Sequence, residues 1–378
     1  MKVALILPHF YPYVGGGEKM FFDLAKGLIN EGHDVKVVAR NVGDEYLGEK
    51  IVEGINIRYC KWKSMFGHPI VNRNDIEDVI KWCDIVHTSI FTPAPVVSRL
   101  ARKYRKPSVL TVYETRGTKW YWCENPIIAT GFYLFEQYTV RQKFDVYHAI
   151  SDATKEDTEK YCHLKNVKRV YLANEMKEGA YADEEDFSLR QYFGIPEDTK
   201  VILYYGRPGK TKGIKVYENA IKTLAESNGI PEKYKFCFIL GKEPENLRRD
   251  FEKLIEKKKL TGKVIIKESV KRSSLGKCIS QADLIVVPSV TEGFGFSALE
   301  ACQLGRPLVY SDGGSLPEVA YGTCKSFKNR DYRQLAGILS DYIENGTENF
   351  DDIPVKTFTY DKMFGGITEI YSDLLNKR

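Results

Sequence analysis

Three glycine-bearing loops hold the residues whose types and spacing could do chemistry: YPYVGGGEK (11–19), GRPGKTKG (206–213) and PSVTEGFGFSALEA (288–301). Each follows an apolar run and precedes a stretch of helical spacing, which is where ligands bind in open α/β sheets. In the second loop Arg207 and Lys212 offer a guanidinium fork and an ammonium point charge, a pair suited to a diphosphate. In the first, Gly15 and Gly16 let backbone N–H groups at a helix start approach an anion. In the third, Gly293 and Gly295 loosen the turn, and the N–H groups of Gly293, Phe294, Gly295 and Phe296 lead into the positive end of a helix. Taken singly, a glycine triplet also reads as a flexible turn and a lysine-rich loop as a solvated one. The first loop is not G-x-G-x-x-G and the second is not a Walker A sequence, so neither common nucleotide fingerprint applies.

Glu292 precedes the helix of the third loop and Glu300 falls in its second turn. A glycosidase pair is a poor fit, because eight residues span about 12 Å as helix against the roughly 5–5.5 Å of a retaining hydrolase. Two carboxylates so spaced are better placed to hold separate parts of one elongated ligand. Glu300 suits a diol such as ribose.

The elements that position these loops repeat a single theme. VALIL (3–7), DVKVVA (34–39), DIVHT (84–88), SVLTVY (108–113), DVYHAI (145–150) and KRVYL (168–172) read as strands separated by helical segments, with Ser151 capping one of them. The acidic stretch 174–200 reads as a crossover, after which the pattern restarts with VILYYG (201–206), YKFCFIL (234–240), VIIKE (264–268), DLIVVPS (283–289) and PLVYSD (307–312). Strands alternating with helices predict an α/β protein of two doubly wound, Rossmann-like domains. The expected boundaries are 1–173, a linker at 174–200, 201–359, and a C-terminal helix over 360–378 that returns to the first domain.

The eight cysteines are scattered without C-x-x-C or a histidine-rich neighbourhood, which argues against a zinc site or a disulfide framework and for a reducing cytoplasm. MKVALILPHF has too short an apolar run for a signal peptide, and no stretch approaches a membrane span. No Asp-x-Asp occurs, and the expectation is that no metal or cofactor is needed.

PHFYPYVGGGEKMFFDLAKGLINEGHDVKVV, YYGRPGKTKG, ADLIVVPSVTEGFGFSALEACQLGRPLV and SDGGSLPEV (311–319), in this order over nearly the whole chain, resemble the retaining glycosyltransferases of family 4. The resemblance implies a GT-B fold, two Rossmann-like domains facing a cleft, and transfer of a sugar from a UDP- or GDP-linked donor to a hydroxyl acceptor. It implies that Arg207 and Lys212 hold the donor diphosphate, Glu300 the ribose, Glu292 the donor sugar, and Gly293 to Phe296 the sugar and phosphates. Gly15 and Gly16 would face the diphosphate, and Glu268, Ser269 and Val270 the base. Two places depart from the pattern. Tyr113 and Glu114, on the acceptor side, stand where many relatives carry a histidine, and LANEM (172–176) replaces an asparagine-glycine turn. An epimerase or hydrolase of the same fold, or a non-catalytic sugar-nucleotide binder, are the alternatives.

The net charge of +5 is uneven. Residues 99–144 carry nine basic side chains against Glu114, Glu124 and Glu136, a local +6, together with ten aromatics. Two readings stay open: a surface meeting an anionic membrane and a lipid-linked acceptor, on the cytoplasmic face, or a buried helix around IIATGFYLFEQY with a solvated flank. Nucleic acid is not expected, since no binding module is present.

Overall fold

The computed structural model describes residues 1–13, 15–65, 68–176, 187–227, 229–241 and 245–377; part of the expected linker, 177–186, lies outside them. The chain divides into two compact units, Met1–Ala173 with Phe358–Arg378, and Asn174–Thr357.

In the first unit the apolar runs become β1 (Lys2–Leu7), β2 (Asp34–Arg40), β3 (Gly48–Val52), β4 (Ile55–Cys60), β5 (Ile85–Ser89), β6 (Ser108–Val112), β7 (Val146–Ala149) and β8 (Val167–Arg169). They form one sheet in the order β8-β7-β6-β5-β1-β2-β4-β3. All neighbours are parallel except β3 and β4. That hairpin was not expected: INIRY alternates apolar and polar residues, but its partner GEKIV is exposed; Glu53 and Gly54, both at positive φ, close it. KRVYL is strand only to Arg169, because the Val170 carbonyl accepts from the His148 ring at 2.9 Å instead of continuing the ladder. The helices that matter here are α1 (Gly16–Asn30), α2 (Pro93–Lys103), α3 (Pro126–Val140) and α4 (Asp152–Cys162), the last capped by Ser151 Oγ accepting from Thr154 N.

The buried-helix reading of IIATGFYLFEQY needs correction. α3 forms, but Glu136, Gln137 and Thr139 are buried while Ile127, Leu134 and Tyr138 are exposed. The cause is Glu136: its carboxylate accepts from the backbone N–H groups of Arg116 and Gly117, both at 2.8 Å, and from the Trp120 indole at 3.2 Å. A largely buried carboxylate that satisfies three donors fixes the rotation of the helix about its axis.

The second unit holds β9 (Lys200–Gly206), β10 (Tyr234–Leu240), β11 (Val264–Glu268), β12 (Leu284–Val287), β13 (Leu308–Ser311), β14 (Gly322–Phe327) and β15 (Asp351–Ile353) in the order β11-β10-β9-β12-β13-β14-β15. β12 stops before Pro288, which has no N–H to give the ladder. α5 (Ile214–Ser227) and α6 (Phe296–Gln303) follow β9 and β12 through the loops of interest. In both sheets the inner strands are buried on both faces, largely by apolar side chains, with His87, Thr88, Ser89, Thr111 and His148 as buried polar groups in the first.

The last helix, α7 (Tyr360–Asn376), packs within the first unit. Tyr360 donates to the Asp23 carbonyl at 2.8 Å and Lys168 pairs with Asp373 at 2.6 Å. A buried chain of polar groups runs from α7 through the sheet. The Val170 carbonyl can only accept, so His148 Nε2 carries a proton and His148 Nδ1 accepts from Thr111 Oγ1 at 2.9 Å. Thr111 Oγ1 then accepts from His87 Nε2 at 2.7 Å, and His87 Nδ1 accepts from the Tyr371 hydroxyl at 2.6 Å. Both histidines are neutral in this chain, and burial holds both below their ordinary pKa, His148 at about 4.

Candidate functional site

The order of strands in the second unit reverses between β9 and β12. At such a reversal the loops leaving the two strands diverge and open a crevice at their carboxyl ends. Here the loops are 207–213 and 288–295, tied to each other by Val290 N donating to the Thr211 carbonyl at 2.7 Å. Lys212 reaches across from the first and Glu292 from the second. Lys212 Nζ donates to both carboxylate oxygens of Glu292, at 2.7 Å and 2.8 Å. The lysine is partly open to solvent and the glutamate nearly enclosed, their side chains 39% and 12% exposed.

Glu300, on α6, is buried. The Tyr205 hydroxyl, from the end of β9, lies 3.1 Å from Glu300 Oε2 and 2.8 Å from the Ser297 carbonyl, and shares its proton between them. Burial and the neighbouring carboxylate push the Tyr205 phenol well above its ordinary pKa, so it remains a donor. α6 starts at Phe296 after Gly295, whose φ of +96 turns the loop into the helix. Gly293 and Phe294 lie between Glu292 and that helix start, and the Phe294 ring meets the Phe296 ring edge-on.

SDGGSLPEV supports Glu292 from below. The Glu292 carbonyl accepts from Ser315 N at 3.1 Å and from Ser315 Oγ at 3.2 Å. Gly314, at φ +60, passes so close that a Cβ there would lie 2.3 Å from the Glu292 oxygen and 2.7 Å from its nitrogen. Only glycine fits both the backbone conformation and the space.

The remaining expected residues of this unit are more open. Arg207 is exposed just past β9. Glu268 ends β11, two strands or about 10 Å from β9, with Ser269 exposed and Val270 half-buried behind it. The Tyr192 hydroxyl donates to the Glu268 carbonyl at 2.7 Å. Arg207, Lys212, Glu292, Glu300 and Glu268 to Val270 therefore all stand at the carboxyl end of one sheet.

In the first unit the strand order reverses between β1 and β5. Gly15 and Gly16 open α1 beside that point. Gly17 faces Tyr113, where a Cβ would come within 2.6 Å of the ring. Tyr113 is thus packed on the start of α1, and burial, reinforced by the charge of Glu18, raises its phenol pKa and keeps it neutral. Glu114 accepts from Arg116 Nη2 at 2.7 Å, and the Arg116 guanidinium lies 4.4 Å over the Trp120 ring.

Among the described residues no group of three or more His, Cys, Asp or Glu side chains gathers to hold a metal ion. All eight cysteines are buried free thiols.

Residues 14–174 match the model of Glycosyltransferase Family 4, and residues 185–349 match that of Glycosyl transferases group 1. The two matches between them span most of the chain and divide it near the boundary of its two units. The chain is a group 1, family 4 glycosyltransferase. This glycosyltransferase is 27% identical over 340 residues to an uncharacterized glycosyltransferase of Methanocaldococcus jannaschii, covering 84% of this chain and 82% of that one. It is 21% identical to the O-antigen biosynthesis glycosyltransferase WclY of Escherichia coli, over 96% of each chain. Among solved structures it is similar to sucrose-phosphate synthase from Thermosynechococcus elongatus, with a TM-score of 0.77, 16% identity and full coverage of both chains. It is also similar to Anabaena HepE in complex with UDP-glucose, with a TM-score of 0.72, 15% identity and coverage of 99% and 100%. The glycosyltransferase thus has the GT-B fold of two Rossmann-like domains.

Two parts of this candidate site are not legible in the sequence. Tyr205 sits inside VILYYG and looks like core, and its polar role appears only once Glu300 is beside it. SDGGSLPEV was recognisable as a motif, but it acts on Glu292 through backbone and through glycine, which leave no side-chain signal.

Proposed function

We propose that this glycosyltransferase moves a sugar from a UDP- or GDP-linked donor to a hydroxyl acceptor with retention of configuration and without a metal. The observation that carries the reading is the set of Lys212, Glu292 and Glu300 at the strand reversal of the second unit, with Arg207 at its rim. In this reading Arg207 and Lys212 take up the negative charge that grows on the diphosphate as the glycosyl bond breaks, the work a metal does elsewhere. Lys212 is held by Glu292 before the donor arrives, so little reorganisation is needed at the moment of reaction. Glu300 accepts from the ribose hydroxyls, its geometry fixed by Tyr205. Amides from Gly293 to Phe296 reach the sugar and phosphates, Glu268 to Val270 flank the base, and Gly15 and Gly16 serve the diphosphate. The acceptor oxygen attacks the face from which the diphosphate leaves, and its proton passes to a diphosphate oxygen. Solved HepE structures carrying UDP and UDP-glucose support a uridine donor.

For the acceptor we favour a lipid-carried glycan, read from the basic and aromatic segment 99–144 together with the O-antigen role in the name of the WclY relative. Tyr113 and Glu114 line its side of the reaction. Being neutral and packed against Gly17, Tyr113 can donate a hydrogen bond to the sugar but cannot present an imidazole nitrogen.

Purified enzyme incubated with individual UDP- and GDP-sugars, with and without glycolipid acceptors, tests the reading. Transfer with the donor's anomeric configuration kept, in the presence of a chelator, is the expected result. An inverted product would refute retention. Donor consumed without acceptor would point to an epimerase or hydrolase, and binding without turnover to a sugar-nucleotide binding protein.

A further inference from the structure

α3 turns large apolar side chains outward while burying several polar ones. Its buried face carries Glu136, Gln137 and Thr139 beside Ala129 and Val140, while Ile127, Leu134 and Tyr138 are 86%, 60% and 57% exposed. With Gly131 they fall at spacings of four, three and four, a single stripe along the helix. Tyr121 and Trp122, just before it, are 45% and 49% exposed. Glu136 cannot turn outward without abandoning the backbone N–H groups of Arg116 and Gly117, so the stripe is locked in place. A contiguous apolar face of this kind on a folded protein marks a surface that something covers.

What lies at the end of the stripe names the occupant. Because β6 and β7 are parallel, α3 must return the chain from the carboxyl end of β6 to the start of β7, about 22 Å for fifteen residues. Its first residues therefore lie near the loop of Tyr113 and Glu114, and its last near the strand starts. There a pocket of about 640 Å³ is lined by Arg102, Arg105, Lys106 and Lys143 with Ser108 and Asp145. Four cations meet one carboxylate, and that carboxylate already accepts from Ser108 N and Ser108 Oγ, both at 2.9 Å.

We propose that the α3 stripe and this pocket form one docking surface for an anionic lipid bilayer, the stripe lying in the interface and the pocket taking a headgroup phosphate. The proposal deepens the reading of a lipid-carried acceptor, and rests on it only for its purpose. Helices that lie in the plane of a membrane combine an apolar face with cations at the headgroup level. A second copy of the chain is disfavoured as occupant, since a twofold contact here would set the same cations against each other. Nucleic acid would use the pocket but leave the Ile, Leu and Tyr stripe uncovered.

The test is flotation of the whole protein with vesicles of phosphatidylcholine alone and of phosphatidylcholine with phosphatidylglycerol. The expected result is partition onto the anionic vesicles only, weakened by salt. Leu134→Ser with Ile127→Ser, and separately Arg102→Ala with Lys143→Ala, should each lower the partition coefficient about ten-fold or more. Their melting temperatures should stay near wild type, because these side chains are exposed. Binding of UDP or GDP is measured on the same samples. Nucleotide binding without vesicle binding overturns the docking surface and leaves the transfer reading standing, whereas vesicle binding without nucleotide binding does the reverse. A dimer that forms in solution and is broken by the Leu134 and Ile127 pair would also overturn the proposal.

Discussion

Lys212 Nζ stands 2.7 Å and 2.8 Å from the two oxygens of the Glu292 carboxylate, so a cation from one strand-end loop and an anion from another are held as a unit over the β9–β12 reversal. In the proposed reading, the pairing aims Lys212 before a diphosphate binds. It also means that either residue loses its orientation when the other is removed. Lys212→Ala is expected to lower kcat about a hundred-fold or more while KM for the donor changes less, the pattern of a group used chiefly in the transition state. Glu292→Ala should share part of that loss. Steady-state kinetics on both variants and the double variant check it, and strictly multiplicative effects would show the pair to be uncoupled.

Arg207 and Glu300 are predicted to fail differently. Glu300→Ala should weaken nucleotide binding, since the buried carboxylate is the proposed ribose acceptor, and should leave Tyr205 with one acceptor fewer. Arg207→Ala, at an exposed position, should mainly lower turnover. Calorimetric titration with a nucleoside diphosphate, set beside kcat, separates them. Wild-type turnover in both variants would remove both assignments.

Gly314→Ala is expected to damage the site without touching any charged group. The φ of +60 costs a residue with a Cβ about 1–2 kcal/mol, and the contact with the Glu292 backbone adds to it. A lower melting temperature together with a loss of turnover is the expected pair of results. Loss of stability alone would mean that Glu292 is positioned from elsewhere.

These residues show where a sequence is readable and where it is not. The strand-end positions of Arg207, Lys212 and Glu292, with Glu300 in the helix that follows, were legible because glycine and charge interrupt apolar runs there, where open parallel sheets tend to meet ligands. The sheet itself was legible for the same reason: VALIL, VILYYG and DLIVV have no polar face. Tyr205 was not, because a tyrosine in an apolar run declares nothing about its hydroxyl. Nor was the rotation of α3, since IIATGFYLFEQY leaves a buried and an outward-facing helix both open until Glu136 is found beneath the Arg116 and Gly117 amides. One buried hydrogen-bond set outweighed the hydrophobicity of the whole face.

The chain from Tyr371 through His87, Thr111 and His148 to the Val170 carbonyl predicts an acid-sensitive attachment of α7. Both histidines are held neutral, below the value they have in the unfolded chain. Between about pH 6.5 and pH 4 the unfolded state therefore binds more protons than the folded one, and stability falls as pH falls, by up to about 1.4 kcal/mol per pH unit for each histidine. Denaturant melts at pH 7.5, 6.0 and 5.0 should show the loss, and His148→Asn should flatten it. A midpoint independent of pH over this range would contradict the neutral chain.

The most direct test of the central claim is calorimetric titration of wild type and Glu300→Ala with UDP and with GDP in the presence of EDTA. The account predicts that wild type binds at least one of the two with no divalent ion present, and that Glu300→Ala binds it about ten-fold more weakly or worse. Absence of binding by wild type, binding only on addition of a divalent ion, or equal affinity in Glu300→Ala would contradict it.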